Sequence, residues 1–393
     1  MSALHFTTLE LKNWKNFTDV KVELSNRVFL VGPNAVGKSN FLDAFKFLRD
    51  LVLEGGGLSK AINSEQRGGL TKVRSLFARK QPAVTVAATV QDNEGTGWRY
   101  ELAFTHYSLK EQRPVVLKEC VYRLDGEKEI QVLDRPDEKD KLDKELLTQT
   151  AIQQVTANQQ FRDLADFFRE ISYLHLVPQL LREEQAPRFS GIGADPFGRD
   201  LLERIRQTPP SRQKARLRRI EEVLKNVVPE LTELRLQIDD HGRPHLQGKF
   251  KHWRPQGAFQ NETQFSDGTL RLIGLLWALQ EKAGPLLLEE PELSLHSAIV
   301  KRLAPFIHRA QKAGNGRQVI LSTHSEVLLQ DIGIAPEEVL LVTPAPKGEG
   351  SQIQVGAKVR DIVKMMQAGI PASEAVLPRT ALKQMSLLDK LTA

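Results

Sequence analysis

The chain has 393 residues, room for two or three domains around a sizeable core. Its 55 basic and 49 acidic residues leave a formal charge of +6, which is compatible with nucleic acid without arguing for it. A single cysteine, Cys120, excludes an internal disulfide; no apolar run approaches the roughly 18 residues of a membrane span, and the opening MSALHFTTLELKNWKNF lacks a basic-then-apolar signal, so a cytoplasmic protein with no membrane partner is expected.

Taken in chain order, the segment Leu9-Glu10-Leu11-Lys12-Asn13-Trp14-Lys15-Asn16-Phe17 reads as a first strand. The apolar run Val28 to Val31 then leads directly into Gly32-Pro33-Asn34-Ala35-Val36-Gly37-Lys38-Ser39-Asn40, and a helix is predicted over Asn40 to Leu53. G-x-x-x-x-G-K-[ST] between a buried strand and a helix is the pattern of a phosphate loop. Gly32 and Gly37 let the backbone curl until its N–H groups form an anion nest, and the helix start adds its positive dipole end. Lys38 then reaches the β- and γ-phosphates, the Ser39 hydroxyl holds Mg²⁺, and Asn34 and Asn40 belong to the same nucleotide-binding set.

Gly55-Gly56-Gly57 and Gly68-Gly69 mark surface turns. From Ala83 to Leu124 the pattern is β, and Cys120 within it is read as packing. Asp134 to Lys144 is most simply a solvated loop or helix start. Helical runs are expected at about 145–170 and 212–227, broken by Pro178, Pro187, Pro196, Pro209 and Pro210. Arg204, Arg206, Arg212, Lys214, Arg216, Arg218 and Arg219 form a basic cluster, and Lys249, Lys251, His252, Trp253 and Arg254 a smaller one. Two readings stay open: a surface that neutralises DNA or RNA phosphates with Trp253 as a stacking platform, or an exposed helix face paired with Glu221 and Glu222.

A hairpin over Leu231 to Lys251 leads to three further segments. Phe265-Ser266-Asp267-Gly268-Thr269 opens a helical run, Leu286-Leu287-Leu288-Glu289-Glu290 is an apolar strand ending in two carboxylates, and Ile320-Leu321-Ser322-Thr323-His324 is a strand ending in a polar cluster. A second helix N-terminus suits a phosphate, the paired acids suit a metal ligand followed by a base for water, and His324 can touch a γ-phosphate. Val339 to Val342 reads as a strand, with amphipathic helices at Lys358 to Gln367 and Ser373 to Leu391.

In this order after a phosphate loop, the set resembles the ATP-binding cassette ATPases, in the branch of SMC, RecF and OLD-type proteins. FSDGT stands where that family has LSGGQ, LLLEE is the Walker B strand, and His324 is the switch histidine. The opening strand looks like the family's L-x-N-F-R-S-F, which places Lys15 beside the nucleotide, and PELSLH (Pro291 to His296) resembles the segment that crosses to the partner subunit. Two departures are visible: Glu289 stands where Asp is usual, and Asp267 puts a negative charge near a phosphate site, so it is expected to face away. For the Q-loop glutamine Gln66 and Gln81 both lie in the right stretch, and a plain surface polar residue stays open as the reading of either. The interval from Ser39 to Phe265 lacks the heptads of a long coiled coil, and with only about 70 residues after His324 no Toprim nuclease of the OLD type is expected there.

The resemblance implies an α/β P-loop NTPase of ABC ATPase type with an antiparallel β subdomain and a compact helical insert. The expected division is 1–130 and 229–345 for the two halves of the ATPase core, 131–228 for the helical insert and 346–393 for a helical tail. It further implies ATP and Mg²⁺ as cofactors and a homodimer or higher oligomer with two ATP molecules sandwiched head to tail. Lys38 and Ser39 would face Ser266 and Gly268 across the interface, with Glu289 supporting Mg²⁺, Glu290 serving the attacking water and His324 sensing the γ-phosphate. A separate effector polypeptide, a nuclease or toxin, and DNA are the implied partners in a DNA-associated or anti-phage setting. A nucleotide-gated scaffold with little turnover and a transporter subunit are the alternatives.

Overall fold

The computed structural model describes residues 4–78, 83–107, 113–182, 193, 195–251, 258–281, 284–313, 316–346 and 348–380. In chain order the strands are β1 His5–Trp14, β2 Phe17–Glu23, β3 Arg27–Val31, β4 Val84–Gln91, β5 Gly97–His106, β6 Pro114–Asp125, β7 Lys128–Arg135, β8 Ser172–Leu174, β9 Leu231–Ile238, β10 Pro244–Phe250, β11 Ala258–Asn261, β12 Leu286–Glu289, β13 Val319–Thr323, β14 Val339–Pro344 and β15 Ser351–Val355. Among the described residues, one 12-stranded sheet has the order β7-β6-β5-β4-β1-β2-β15-β14-β3-β13-β12-β8, and β11-β10-β9 form a second, antiparallel sheet. Strands β14, β3, β13, β12 and β8 run parallel, whereas β7 through β2 are antiparallel. The antiparallel strands expected beside the nucleotide core thus continue the core sheet edge to edge.

The parallel strands are apolar along their length because both faces are covered. Strand periodicity of two sends alternate residues to opposite cores. Val28, Leu30, Leu287 and Ile320 face the core that holds the helix Lys38–Val52, while Phe29, Val31, Leu286, Leu288, Val319 and Leu321 face the core that holds the helices Asp267–Gln280 and Ser297–Ala313. Each fully buried side chain of this size contributes roughly 1.5–3 kcal/mol. The stretch 131–228 serves both cores: Phe161, Leu164 and Phe168 join the first, and Leu201, Ile205, Leu217 and Ile220 the second. It also contains β8, which pairs in parallel with β12.

Several expectations change. The loop helix begins at Lys38 and ends at Val52, not Asn40 to Leu53. Of the run at 145–170, only Arg162–Arg169 is α-helical, preceded by short 3-10 turns. The charged stretch Asp134 to Lys144 is not wholly solvated: Arg135 and Asp140 are buried, and Arg135 bridges Asp140 at 2.7 Å and Glu119 at 3.2 Å. A cation in contact with both carboxylates keeps that burial tolerable. Pro187, Gln81, His252, Trp253 and Arg254 lie outside the described residues, as does the end of the predicted final helix, described over Ala372–Thr380.

Candidate functional site

Because β3, β12 and β13 are parallel and in register, their carboxyl ends fall on one edge of the sheet. Thr323 pairs with Val31, and Glu289 with Ser322. Open parallel sheets place ligands at that edge. Residues about 250 apart in sequence are thereby neighbours.

The phosphate loop leaves β3 at Gly32. Gly37 caps the following helix at φ 104°, and a Cβ there would lie 2.1 Å from Asn16 Nδ2, so only glycine fits. Asn34 and Ala35 are exposed at the crest, with Ala35 at φ 62°. Lys38 folds back over the loop and donates from Nζ to the carbonyls of Gly32 at 2.8 Å and Pro33 at 3.0 Å. Burial pushes its ammonium below the usual lysine range, against the pull of Glu290, Glu289 and Glu292.

Glu289 receives two hydroxyls: Ser39 Oγ donates to its Oε1 and Tyr173 OH to its Oε2. A serine hydroxyl and a carboxylate oxygen side by side are the hard oxygen pair that Mg²⁺ takes alongside phosphate oxygens and water, so these residues fit the ion. Glu290 has φ 44°, uncommon for a residue with a Cβ and costing on the order of 1–3 kcal/mol. Its N–H donates to the Ser322 carbonyl at 3.1 Å, and its Oε1 lies 3.2 Å from His324 Nδ1. Two residues on, Glu292 is buried, accepts from Thr323 Oγ1 at 2.5 Å and keeps its carboxyl above the usual range, chiefly by burial.

Ser266 is the N-cap of the helix Asp267–Gln280, accepting from the Thr269 N–H at 3.2 Å. Among the described residues its hydrogen bonds stay within that turn. Gly268 packs against the segment after Walker B: a Cβ there would sit 2.6 Å from the Ser294 carbonyl. The charge of Asp267 is taken by Arg182 at 2.6 Å and by Gln179 Nε2 at 2.6 Å. Lys15, which the family resemblance puts beside the nucleotide, ion-pairs with Asp43 on the loop helix at 2.7 Å.

Other contacts were not read from the sequence. Asn16 Nδ2 donates to the Val36 carbonyl at 2.7 Å and its Oδ1 accepts from Asn40 Nδ2 at 2.8 Å, so the turn between β1 and β2 clamps the phosphate loop. Its presence in LKNWKNF was the available signal. Tyr173 and His175 offered none: they reach Glu289 only because β8 pairs with β12.

The basic cluster is divided by the fold. Arg204 pairs with Glu281, Arg206 with Glu203 at 2.5 Å, and Arg216 lies over the Trp277 ring at 5.1 Å. Arg212, Lys214, Arg218 and Arg219 are exposed on the helix Pro210–Leu224. At about 100° per residue, Arg212, Arg216 and Arg219 fall on one flank and Lys214 and Arg218 on the other, so they do not make one continuous face.

The fold and these motifs define a P-loop ATPase domain of the ABC type, mixed α/β with a separate antiparallel sheet. The chain belongs to the family described as "AAA domain, putative AbiEii toxin, Type IV TA system", whose model matches residues 27–330. A 58-residue stretch is 36% identical to the endonuclease GajA of Bacillus cereus (strain VD045); it covers 15% of this chain and about a tenth of that relative's length. Among solved structures, the fold resembles an SMC head bound to the C-winged helix domain of ScpA, with a TM-score of 0.53 at 16% identity over 89% of this chain and 97% of that one. It also resembles the SMC head with an extended coiled coil bound to the C-terminal domain of ScpA from Pyrococcus furiosus, with a TM-score of 0.52 at 14% identity over 93% of this chain and all (100%) of that one. Among the described residues, no helix is long and apolar enough to cross a membrane.

Proposed function

We propose that the protein is an ATP-hydrolysing, ATP-dimerised ABC-type ATPase that couples nucleotide state to a defence or DNA-associated effector. The observation that carries the reading is the convergence of Lys38, Ser39, Glu289, Glu290 and His324 at the carboxyl ends of three parallel strands. Lys38 exchanges its loop carbonyls for the β- and γ-phosphates, and the loop N–H groups hold the remaining oxygens. Ser39 and Glu289 would hold Mg²⁺, which when bound neutralises phosphate charge. Glu290, held by Ser322 and facing His324, orients the attacking water and accepts its proton. Ser266 and Gly268 of the partner subunit complete the phosphate contacts, and hydrolysis releases the dimer.

The family description and the GajA stretch support a defence setting; a nuclease or toxin acting as a separate partner is part of the proposal. DNA is a second proposed partner, through the exposed residues of the basic helix. A nucleotide-gated scaffold with slow turnover is the second reading, favoured by the engagement of both Glu289 oxygens by hydroxyls.

Turnover and ATP binding of the purified chain, with and without DNA, test the assignment. Lys38→Ala is expected to abolish ATP binding. Glu290→Gln should retain binding, lose roughly 100-fold or more in turnover and accumulate as an ATP-bound dimer in size-exclusion chromatography. Unchanged turnover in Glu290→Gln overturns its role, and negligible wild-type turnover with intact ATP-driven dimerisation selects the scaffold.

A further inference from the structure

Around the loop helix the buried charge does not balance. Lys15, Lys46, Arg49 and Arg67 surround two carboxylates, Asp43 and Asp50. Arg67 binds both, at 2.9 and 2.8 Å; Arg49 pairs with Asp50 at 3.0 Å and Lys15 with Asp43 at 2.7 Å. Lys46 is 4.0 Å from Asp43, and its closer contacts are neutral: Gln66 Oε1 at 2.6 Å and the Tyr173 ring at 4.2 Å. Its side chain is 9% exposed. Buried cations in excess over their carboxylates are costly unless a further anion joins them. Burial above all, with Arg67 and Arg49, pushes the Lys46 ammonium down to about 8 against the pull of Asp43.

Of these cations Lys46 and Arg49 open onto a cavity of about 640 Å³ that Lys60 and Arg199 also line, with Asn63 and Ser64 as neutral polar groups. Of the acids at the cavity, Asp50 is already engaged by Arg49 and Arg67, and Glu54 and Glu65 are exposed. One wall is built close to the loop helix: a Cβ on Gly193 would lie 2.6 Å from Leu53 Cδ1. The same wall is tied to the segment carrying Tyr173, since the carbonyls of Pro196 and Phe197 accept from His175 and Val177 N–H at 2.8 and 3.0 Å.

We propose that this cavity is a second anion site, separate from the phosphate loop, for a small phosphate-bearing ligand. Lys46 and Lys60 offer point charges, and Arg49 and Arg199 add guanidinium groups that also face Asp50 at 3.0 Å and Asp195 at 3.7 Å, the combination that recognises phosphate oxygens. The volume lies in the range of small-molecule sites and admits a mononucleotide. The site adjoins the metal acid through Lys46, which lies against Tyr173, and Tyr173, which donates to Glu289.

The test is calorimetry on the full chain with inorganic phosphate and with adenosine monophosphate, each against sodium chloride of matched ionic strength. Binding is expected to be saturable in the wild type, to persist in Lys38→Ala, where the phosphate loop is disabled, and to weaken at least tenfold in Lys60→Glu. Lys60 is exposed, so that substitution leaves folding intact; Arg49→Gln, with its fold checked by circular dichroism, is the second variant and should lose binding as well. Adenosine monophosphate binding tighter than phosphate identifies a nucleotide as the ligand, and equal affinity identifies the phosphate group alone; both support the site. Absence of saturable binding, or binding lost in Lys38→Ala and kept in both cavity variants, overturns it.

Discussion

Arg67 shows how a single side chain holds the nucleotide half of the molecule together. It is 3% exposed, and its guanidinium takes both oxygens of Asp43, at 3.0 and 2.9 Å, one oxygen of Asp50 and the Ala61 carbonyl. Burial alone would raise the Asp43 carboxyl, but Arg67, Lys15 and Lys46 outweigh it and hold the group well below the usual carboxylate range. With the folded value depressed, Asp43 contributes stability that is present above the unfolded value, near 3.9, and is lost as pH falls through the lower folded value. Arg67→Ala removes the chief partner of two buried carboxylates and should destabilise the chain by about 3–5 kcal/mol. Urea unfolding near neutral pH measures it; a loss below about 1 kcal/mol would show that the remaining cations suffice.

At the scale of elements, the first turn of the helix Asp267–Gln280 and the segment after β12 are in contact within one chain. Gly268 sits in the first turn of the helix Asp267–Gln280, where a Cβ would lie 2.6 Å from the Ser294 carbonyl. Ser294 itself has φ 60°, so the turn has little freedom to move aside. A methyl at Gly268 therefore has to displace the helix start or the turn, at a cost of about 1–3 kcal/mol. Gly268→Ala should keep monomer ATP affinity, since the phosphate loop is untouched, and lower ATP-driven dimerisation. Equal dimerisation of wild type and Gly268→Ala, followed by analytical ultracentrifugation, would remove the signature turn from the interface. The clamp of Gln179 and Arg182 on Asp267 has a related consequence: the segment holding the signature also carries Tyr173, which holds Glu289.

For the whole molecule, the proposal is that Lys38 and Ser39 of one subunit and Ser266 of the other serve the same triphosphate. Ser266→Arg should then leave nucleotide binding by the monomer intact while blocking ATP-driven dimerisation. In an equal mixture of Lys38→Ala and Ser266→Arg subunits, a heterodimer retains at most one intact site, so turnover stays below wild type. Full activity in that mixture sinks the composite-site idea. Ser266 bonds only within its own turn among the described residues, at the start of the helix Asp267–Gln280, the end of a helix that attracts an anion.

The primary structure by itself determined the class. A phosphate loop, a strand ending in paired acids and a strand ending in histidine are local patterns, because strand, tight turn and helix start are each dictated by neighbours within a few residues. Those patterns pick out Lys38, Ser39, Glu289, Glu290 and His324, which the fold brings to the carboxyl ends of β3, β12 and β13. The environment of those residues was decided only by tertiary structure. Tyr173 and His175 lie more than a hundred residues from Glu289, at separations of 116 and 114, and meet it through strand pairing that no local pattern encodes. The same holds for Arg135 and Asp140, which look like a solvated charge run until Glu119 and the packing of β6 bury them. Basic residues within one stretch likewise went to different fates, Arg204 and Arg206 into ion pairs, Arg216 onto Trp277 and Arg212 and Lys214 to solvent. Charge is a property of composition, whereas the partner that neutralises it depends on which surfaces the fold brings within a few ångströms.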